Sequence, residues 1–289
     1  MTNVDEKTIV RMTRNEADMA FKRRVRTIFE WIPLPDNSEA VILDAGCGRG
    51  FYLNYFRYVS SVKLVGLELE SEIIHKAKAN IGHLPDILLT QANIYHLPFP
   101  DNYFNAVILS EILEHIEDDS RAMREIYRVM KPGGVAVITV PNANYPFLWD
   151  PINKTLETLF NRKIRKGLLS GIWANHVRLY TMPALRRPVV DAGFEIEAER
   201  AFTHYSFPFI HNLVYGLGKP LLESGIMPDK MANAADRTTF DDNKGSLLNP
   251  INLGLAVLNL FDKPNRMDEP LHRSTVNLCL KARKPLTQG

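Results

Sequence analysis

Cysteine and long apolar runs are the two features this 289-residue sequence has least of. Its two cysteines, Cys47 and Cys279, are too few for a disulfide framework or a CxxC metal site, so no metal is predicted. No stretch approaches the roughly 18 apolar residues of a membrane span, and the N-terminal residues lack the apolar core of a signal peptide. The sequence therefore predicts a cytoplasmic location, with contact to the inner face of the membrane left open.

An excess of one charge sign is also missing. The 35 Lys and Arg residues nearly balance the 33 Asp and Glu residues, and the net charge of +2 is too small to attract polyphosphates by bulk electrostatics. With 45% apolar and 24% charged residues, the composition is that of a globular protein. Local basic clusters at 22–26 and 162–166 indicate solvated helix faces, with anionic head groups or nucleic acid as the alternatives.

Apolar periodicity predicts a doubly wound α/β fold. A helix is predicted over 15–32, where Pro33 and Pro35 end it. From Val41 onward, short apolar runs alternate with predicted helices at 50–58, 71–80 and 118–130. Such alternation is typical of a mostly parallel sheet with helices on both faces.

The C-terminal half contains a second, weaker pattern of the same kind. It predicts a helix over 183–192, a strand over 194–200 and a final strand over 274–283. The aromatic, Pro- and Asn-rich segment of about 202–272 is only patchily periodic. We interpret it as an insertion between the last two strands of the sheet.

The most specific motif follows the first predicted strand, where glycines stand at 46, 48 and 50. In an open parallel sheet ligands bind beyond the carboxyl ends of the strands, and glycine lets the backbone approach them closely. The GxGxxG fingerprint of nicotinamide and flavin sites requires a small residue at position 51, which is Phe here. A phosphate-binding P-loop is also disfavoured, because no Lys-Ser or Lys-Thr pair follows the turn.

The segment DAGCGRG, Asp44 to Gly50, matches every fixed position of the D/E-x-G-x-G-x-G motif, and here the sequence resembles the class I S-adenosylmethionine-dependent methyltransferases. The LEH triplet at 113–115 and the segments 128–142 and 175–197 extend the resemblance, the last one towards the small-molecule and lipid branch that includes quinone-biosynthesis enzymes. The resemblance implies a seven-stranded, mostly parallel Rossmann-like methyltransferase fold. It also implies S-adenosylmethionine as cofactor and S-adenosylhomocysteine as product.

The resemblance implies a role for each matching residue. Glu68, 24 residues after Asp44, would accept hydrogen bonds from both ribose hydroxyls, for which a carboxylate is suited. Asn93 takes the position near the adenine amino group, and Ser110 would lie near the methionine moiety. The full set of cofactor contacts predicted in this way is Asp44, Gly46, Cys47, Gly48, Gly50, Glu68, Leu69, Asn93, Ile94, Ser110 and Glu111.

Methyl transfer from a sulfonium is an in-line displacement that depends mainly on alignment and on exclusion of water. A carbon or phenol acceptor would need a general base, for which His115 and His176 are the candidates; the alternative for His115 is to orient a neighbouring loop. Four aromatic residues are candidates to wall an apolar acceptor pocket or simply to fill core: Tyr145, Trp149, Trp173 and Tyr180.

We therefore predict an N-terminal helical cap (1–36), a methyltransferase core (37–200 and 273–286) and a helical insertion or lid (201–272) that forms part of the acceptor site. The apolar runs at 202–222 and 249–261 are consistent with a packed lid, an acceptor tunnel or a peripheral membrane surface. The predicted function is methyl transfer to a hydrophobic small molecule or lipid. The alternatives are a non-catalytic cofactor-binding or docking module, and methylation of protein or RNA. A nucleic-acid substrate is disfavoured, because the segment Ser110-Glu111-Ile112-Leu113 departs from the D/N/S-P-P motif of enzymes that methylate base amines.

Overall fold

A computed structural model describes residues 4–34, 39–210 and 250–286, and these residues form one seven-stranded sheet with helices on both faces. The strands are β1 (Val41–Ala45), β2 (Lys63–Glu68), β3 (Ile87–Gln91), β4 (Phe104–Ser110), β5 (Met130–Pro141), β6 (Glu195–Phe202) and β7 (Asn277–Arg283). The α-helices are α1 (Glu6–Met12), α2 (Met19–Trp31), α3 (Phe51–Val59), α4 (Ser71–Ile81), α5 (Asp119–Val129), α6 (Pro151–Phe160), α7 (Met182–Asp191) and α8 (Pro250–Asp262).

The order of the strands reverses direction between β1 and β4, so the switch point of the sheet lies beside β1. The order is β3-β2-β1-β4-β5-β7-β6, and only β7 runs antiparallel to its neighbours. Asp44 pairs with Gly66 of β2 on one side and with Ile108 of β4 on the other. Because the connections from β1 and β4 leave in opposite directions, a crevice opens at the carboxyl ends of these two strands. The predicted doubly wound, mostly parallel fold is confirmed.

Side chains that alternate in direction along the central strands divide the hydrophobic core between the two faces of the sheet. Leu43 and Ala45 of β1 pack on the face covered by α5 and α7, whereas Ile42 packs on the opposite face with α2, α3 and α4. Successive strand residues point to opposite sides, so β1 is apolar throughout because both of its faces are covered. All five residues of β1 are buried.

Helix α2 is part of the packed core, which corrects the interpretation of its basic cluster as a solvated face. The ring of Phe29 stacks on Phe56 of α3 with centroids 4.4 Å apart. Arg23 and Arg24 are each only 8% exposed, because both guanidinium groups are used in buried contacts. Arg23 forms an ion pair with Asp262 of α8, and Arg24 extends to the end of β4.

Other departures from the predicted elements concern short segments. Helices α1 and α6 were not predicted, although Asp150 at the N-cap and Pro151 at the first turn of α6 are start signals. The predicted helices and strands that were found differ from the observed bounds by a few residues. Of the predicted insertion, residues 211–249 lie outside the described part of the chain. Among the residues described, no helix has both the length and the apolar character needed to cross a membrane.

Candidate active site

The glycine turn after β1 closes tightly against two neighbouring segments. The amides of Gly46 and Cys47 both donate to the carbonyl oxygen of Leu67, each at 2.8 Å. Gly46 has φ of +85°, and a Cβ there would lie 2.0 Å from Cδ1 of Ile112, just beyond β4. Gly48 also has positive φ, but a Cβ there would meet no atom of the described residues within 4 Å. The turn therefore packs closely at Gly46 and leaves space at Gly48.

Glu68 lies at the end of β2 with its carboxylate held by the backbone. One carboxylate oxygen accepts the N–H of Gly48 at 3.1 Å, and the other accepts the N–H of Leu69 at 2.7 Å. The N–H of Glu70 also donates to the second oxygen, at 3.3 Å, and together these bonds fix the carboxylate beside the open space of the turn. The oxygen that accepts from Gly48 keeps a lone pair for a further donor, such as a hydroxyl group. This arrangement fits the role predicted for Glu68.

Asp44 is a buried acid at the base of the same turn. It is 1% exposed, and its Oδ2 has no hydrogen-bond partner among the described residues. Burial, and secondarily the nearby charge of Glu68, raises the pKa of Asp44 to about 8. Burial also raises the pKa of the Cys47 thiol, so this side chain is an uncharged part of the turn. The site therefore contains a carboxyl group that is poised to bear a proton near neutral pH.

At the end of β4, Ser110 and Glu111 belong to a polar network that sequence reasoning only partly predicted. The hydroxyl of Thr139 donates to Glu111 at 2.9 Å and lies 3.0 Å from the hydroxyl of Ser110. Arg24 of α2 forms an ion pair of 3.0 Å with Glu111, and Asn277 of β7 donates to both oxygens of the same carboxylate. Glu111 has φ of +57°, which these bonds help to maintain. Separations of 87 and 166 residues gave no local signal for Arg24 or Asn277.

The residues predicted for adenine lie after β3. The side-chain oxygen of Asn93 accepts the N–H of Tyr95 at 2.9 Å, which forms a local turn. Asn93 is exposed, so its amide remains accessible. Ile94 is 8% exposed and packs within the core on the α5 side of the sheet. The roles assigned to these two residues remain predictions.

The two histidines named as candidate bases are brought into ring contact. The rings of His115 and His176 have centroids 4.6 Å apart and are nearly perpendicular. Nδ1 of His115 lies 3.1 Å from the carbonyl oxygen of Asn175, and since a carbonyl only accepts, Nδ1 bears the proton. Nε2 of the neutral ring is then the basic nitrogen. The amide of Val177 donates to the carbonyl of Glu114 at 2.8 Å, which fixes the two segments together.

Glu114 lies buried beneath this histidine pair. Neither of its carboxylate oxygens has a hydrogen-bond partner among the described residues, and one of them is 3.9 Å from Nε2 of His115. Burial, reinforced by Glu111, raises the pKa of Glu114 well above its ordinary value. Glu114, His115 and His176 each place one possible metal-ligating atom within 4.8 Å of the others. The prediction that no metal is used therefore needs a direct test at this cluster.

Three of the four aromatic candidates share one apolar cluster. Tyr145, Trp149 and Trp173, which we call the aromatic cluster, pack together and are at most 5% exposed. Tyr180 belongs instead to the core on the α5 side, where its hydroxyl bonds to Leu113 and Asp119. The geometry thus separates Tyr180 from the other three.

Comparisons with known proteins relate part of this chain to methyltransferases. Residues 43–138 match the family described as a methyltransferase domain. The ubiquinone/menaquinone biosynthesis C-methyltransferase of Cronobacter sakazakii is 33% identical over 168 residues, covering 53% of this chain and 66% of that protein. The corresponding enzyme of Pasteurella multocida is 30% identical over 168 residues, covering 53% and 62%. The chain thus matches slightly less than two thirds of the length of these relatives.

The solved structures agree on the fold. A SAM-dependent methyltransferase from Archaeoglobus fulgidus superposes with a TM-score of 0.52 at 16% identity, covering 97% of this chain and all of the other. Residues 43–138 thus match a methyltransferase domain, and the described chain has the fold of an S-adenosylmethionine-dependent methyltransferase. The space at Gly48 and the anchored carboxylate of Glu68 fit S-adenosylmethionine, the cofactor that this likeness implies.

Proposed function

We propose that this protein transfers the methyl group of S-adenosylmethionine to an apolar, lipid-like small molecule. The observation that carries the proposal is that the histidine pair and the aromatic cluster are joined by one backbone turn, in which the amide of His176 donates to the carbonyl of Trp173 at 3.2 Å. Through His176, this turn holds the pair of imidazole rings three residues along the chain from a tryptophan of the apolar cluster. The likeness to the two ubiquinone/menaquinone biosynthesis C-methyltransferases favours a quinone-type ring that is methylated at carbon.

The reaction forms a bond between the acceptor atom and the methyl carbon while the carbon–sulfur bond breaks and its electron pair stays on sulfur. The bound cofactor supplies an activated methyl group, so the protein mainly aligns the reactants and excludes water. Glu68 and the glycine turn would hold the donor. Nε2 of His115, or the ring of His176, would take the proton that a carbon or phenol acceptor loses.

The N-terminal cap (1–36) is proposed to border the methyltransferase core, and the insertion of 201–272, between the last two strands, is proposed as a lid over the acceptor. Ile210 and Leu258, from the two described ends of that segment, belong to the same hydrophobic core cluster as the three rings of the aromatic cluster. Both described ends of the segment therefore contribute to the core in which the aromatic cluster lies. A cytoplasmic enzyme acting on a membrane-dissolved acceptor is the arrangement that we propose.

The test uses cofactor carrying a tritiated methyl group and a total cell extract, which is then separated into lipid, protein and nucleic acid. Label is expected in the lipid fraction. His115→Asn and His176→Asn are expected to reduce kcat about 100-fold or more, the ordinary contribution of a general base. His75→Asn is the matched control, because His75 lies on the exposed surface of α4.

Each other outcome contradicts part of the proposal. Label in protein or nucleic acid would replace the acceptor class. Cofactor binding without any labelled product would indicate a non-catalytic module. Loss of activity in EDTA, with recovery on adding a divalent cation, would show that the Glu114, His115 and His176 cluster works as a metal site and not as a metal-free base.

A further inference from the structure

The last turn of α6 and the loop that follows it combine exposed apolar and basic side chains. Residues 158–169, TLFNRKIRKGLL, which we call the basic loop, contain four Lys or Arg residues and no acidic residue. The whole chain has a net charge of +2, so the remaining residues together carry a net charge of −2. The basic loop therefore carries a local charge of +4 in a chain whose net charge is only +2.

Apolar side chains flank these cations on both sides. Leu159 and Phe160 are 67% and 63% exposed, and Leu168 and Leu169 are 67% and 50% exposed. Phe147 and Leu148 are also exposed, and Asp150 ties their turn to the residues just after the basic loop by accepting the N–H of Ile172 at 3.0 Å. Such an exposed apolar group is costly in water unless another surface covers it.

The basic loop is anchored at its base, so its outer side chains are presented on a fixed support. The buried side chain of Asn153 accepts the N–H of Ile164 at 2.7 Å and donates to the carbonyls of Leu169 and Ser170. Lys163 covers the ring of Trp173 with its ammonium 3.7 Å from the centroid. The loop is thereby connected directly to the aromatic cluster.

We propose that the basic loop docks the protein on an anionic phospholipid surface. Leu159, Phe160, Leu168 and Leu169 enter the boundary between head groups and acyl chains, and the side chains of Arg162 and Lys166 remain among the phosphates, as in other interfacial segments. Nucleic acid fits less well, because three of these four apolar side chains are leucines, which cannot stack on bases as the aromatic residues of single-strand binders do. This surface lies outside the predicted insertion, and its attachment to Trp173 brings the proposed acceptor wall towards the bilayer.

The first experiment is sedimentation of the full chain with vesicles of phosphatidylcholine alone or mixed with phosphatidylglycerol. Binding is expected only with phosphatidylglycerol present. Arg162→Gln with Lys166→Gln is expected to weaken partitioning roughly 25-fold, about fivefold for each cation lost. Leu159→Ser with Leu168→Ser is expected to weaken it at least roughly tenfold.

The matched control for charge is Arg187→Gln with Lys76→Gln, since both of these exposed cations lie on other helices. It is expected to bind like the unaltered protein. Equal binding by all three double variants, or equal binding to both kinds of vesicle, would overturn the proposal. Because neither donor nor acceptor is present, this result stands apart from the test of methyl transfer.

A second experiment reports insertion at a single position. Both native cysteines are buried, so Leu168→Cys can be labelled with a fluorophore that is sensitive to polarity. Anionic vesicles are expected to shift its emission to the blue, while the same label at the exposed Leu286 does not respond. A response to RNA and not to vesicles, or an equal response at both positions, would contradict docking through the basic loop.

Discussion

Substitution of Gly46 by alanine tests the close packing of the glycine turn. The new Cβ would lie 2.0 Å from Cδ1 and 2.7 Å from Cγ1 of Ile112, at a φ of +85°. The backbone strain costs about 1–2 kcal/mol, and the overpacking adds about 1–3 kcal/mol. The free energy of unfolding, measured by urea denaturation, is therefore expected to fall by about 2–5 kcal/mol.

Gly48→Ala is the matched control, because its φ is also positive but its Cβ would meet no described atom within 4 Å. It is expected to lose only the strain of about 1–2 kcal/mol, while its Cβ reduces cofactor affinity by occupying the open space. Shortening Ile112 to alanine should relieve the clash, so a double-mutant cycle with Gly46→Ala is expected to show a favourable coupling of about 1–3 kcal/mol. Equal losses at Gly46 and Gly48, or no coupling to Ile112, would refute this account of the turn.

Two further predictions concern buried charges. Arg24→Met removes the 3.0 Å ion pair with Glu111, and the free energy of unfolding in urea is expected to fall by about 1–3 kcal/mol. Arg26→Met, which removes a more exposed ion pair, is expected to lower it by under about 1 kcal/mol. Similar losses of stability in the two variants would contradict the role of the network. The pKa of Asp44, about 8 when folded, lies above its ordinary value of 3.8, so the folded chain retains a proton that the unfolded chain loses. The contribution of Asp44 to the free energy of unfolding is therefore largest below about pH 4 and falls by about 1.4 kcal/mol per pH unit up to about pH 8. Asp44→Asn should remove this slope when the free energy of unfolding is measured against pH. An unchanged slope would contradict the buried, protonated state of Asp44.

The parts of the fold that the sequence predicted are those that local chemistry determines. Short apolar strands, periodic helices and a turn that requires positive φ at Gly46 each leave a signal within a few residues. The insertion of antiparallel β7 between β5 and β6 leaves no such signal, since strand order depends on contacts between distant segments.

The same distinction applies to the site. His115 and His176 were predicted one by one, but their contact across 61 residues could only come from the folded chain. Arg24 looked like part of a solvated face because its cluster is basic, and only the position of Glu111 explains its burial. The exposed side chains of the basic loop were equally ambiguous, because sequence alone does not show which apolar residues remain uncovered.

The most direct test of the account is calorimetric titration of the protein with S-adenosylmethionine. The unaltered protein is expected to bind it, and Glu68→Gln is expected to weaken binding about 10- to 100-fold, because two charge-assisted hydrogen bonds to hydroxyl groups are lost. Glu70→Gln, at an exposed neighbouring acid, is expected to bind normally. Unchanged affinity in Glu68→Gln, or tight binding of NAD with none of S-adenosylmethionine, would contradict the assignment of the turn after β1 as the methyl-donor site.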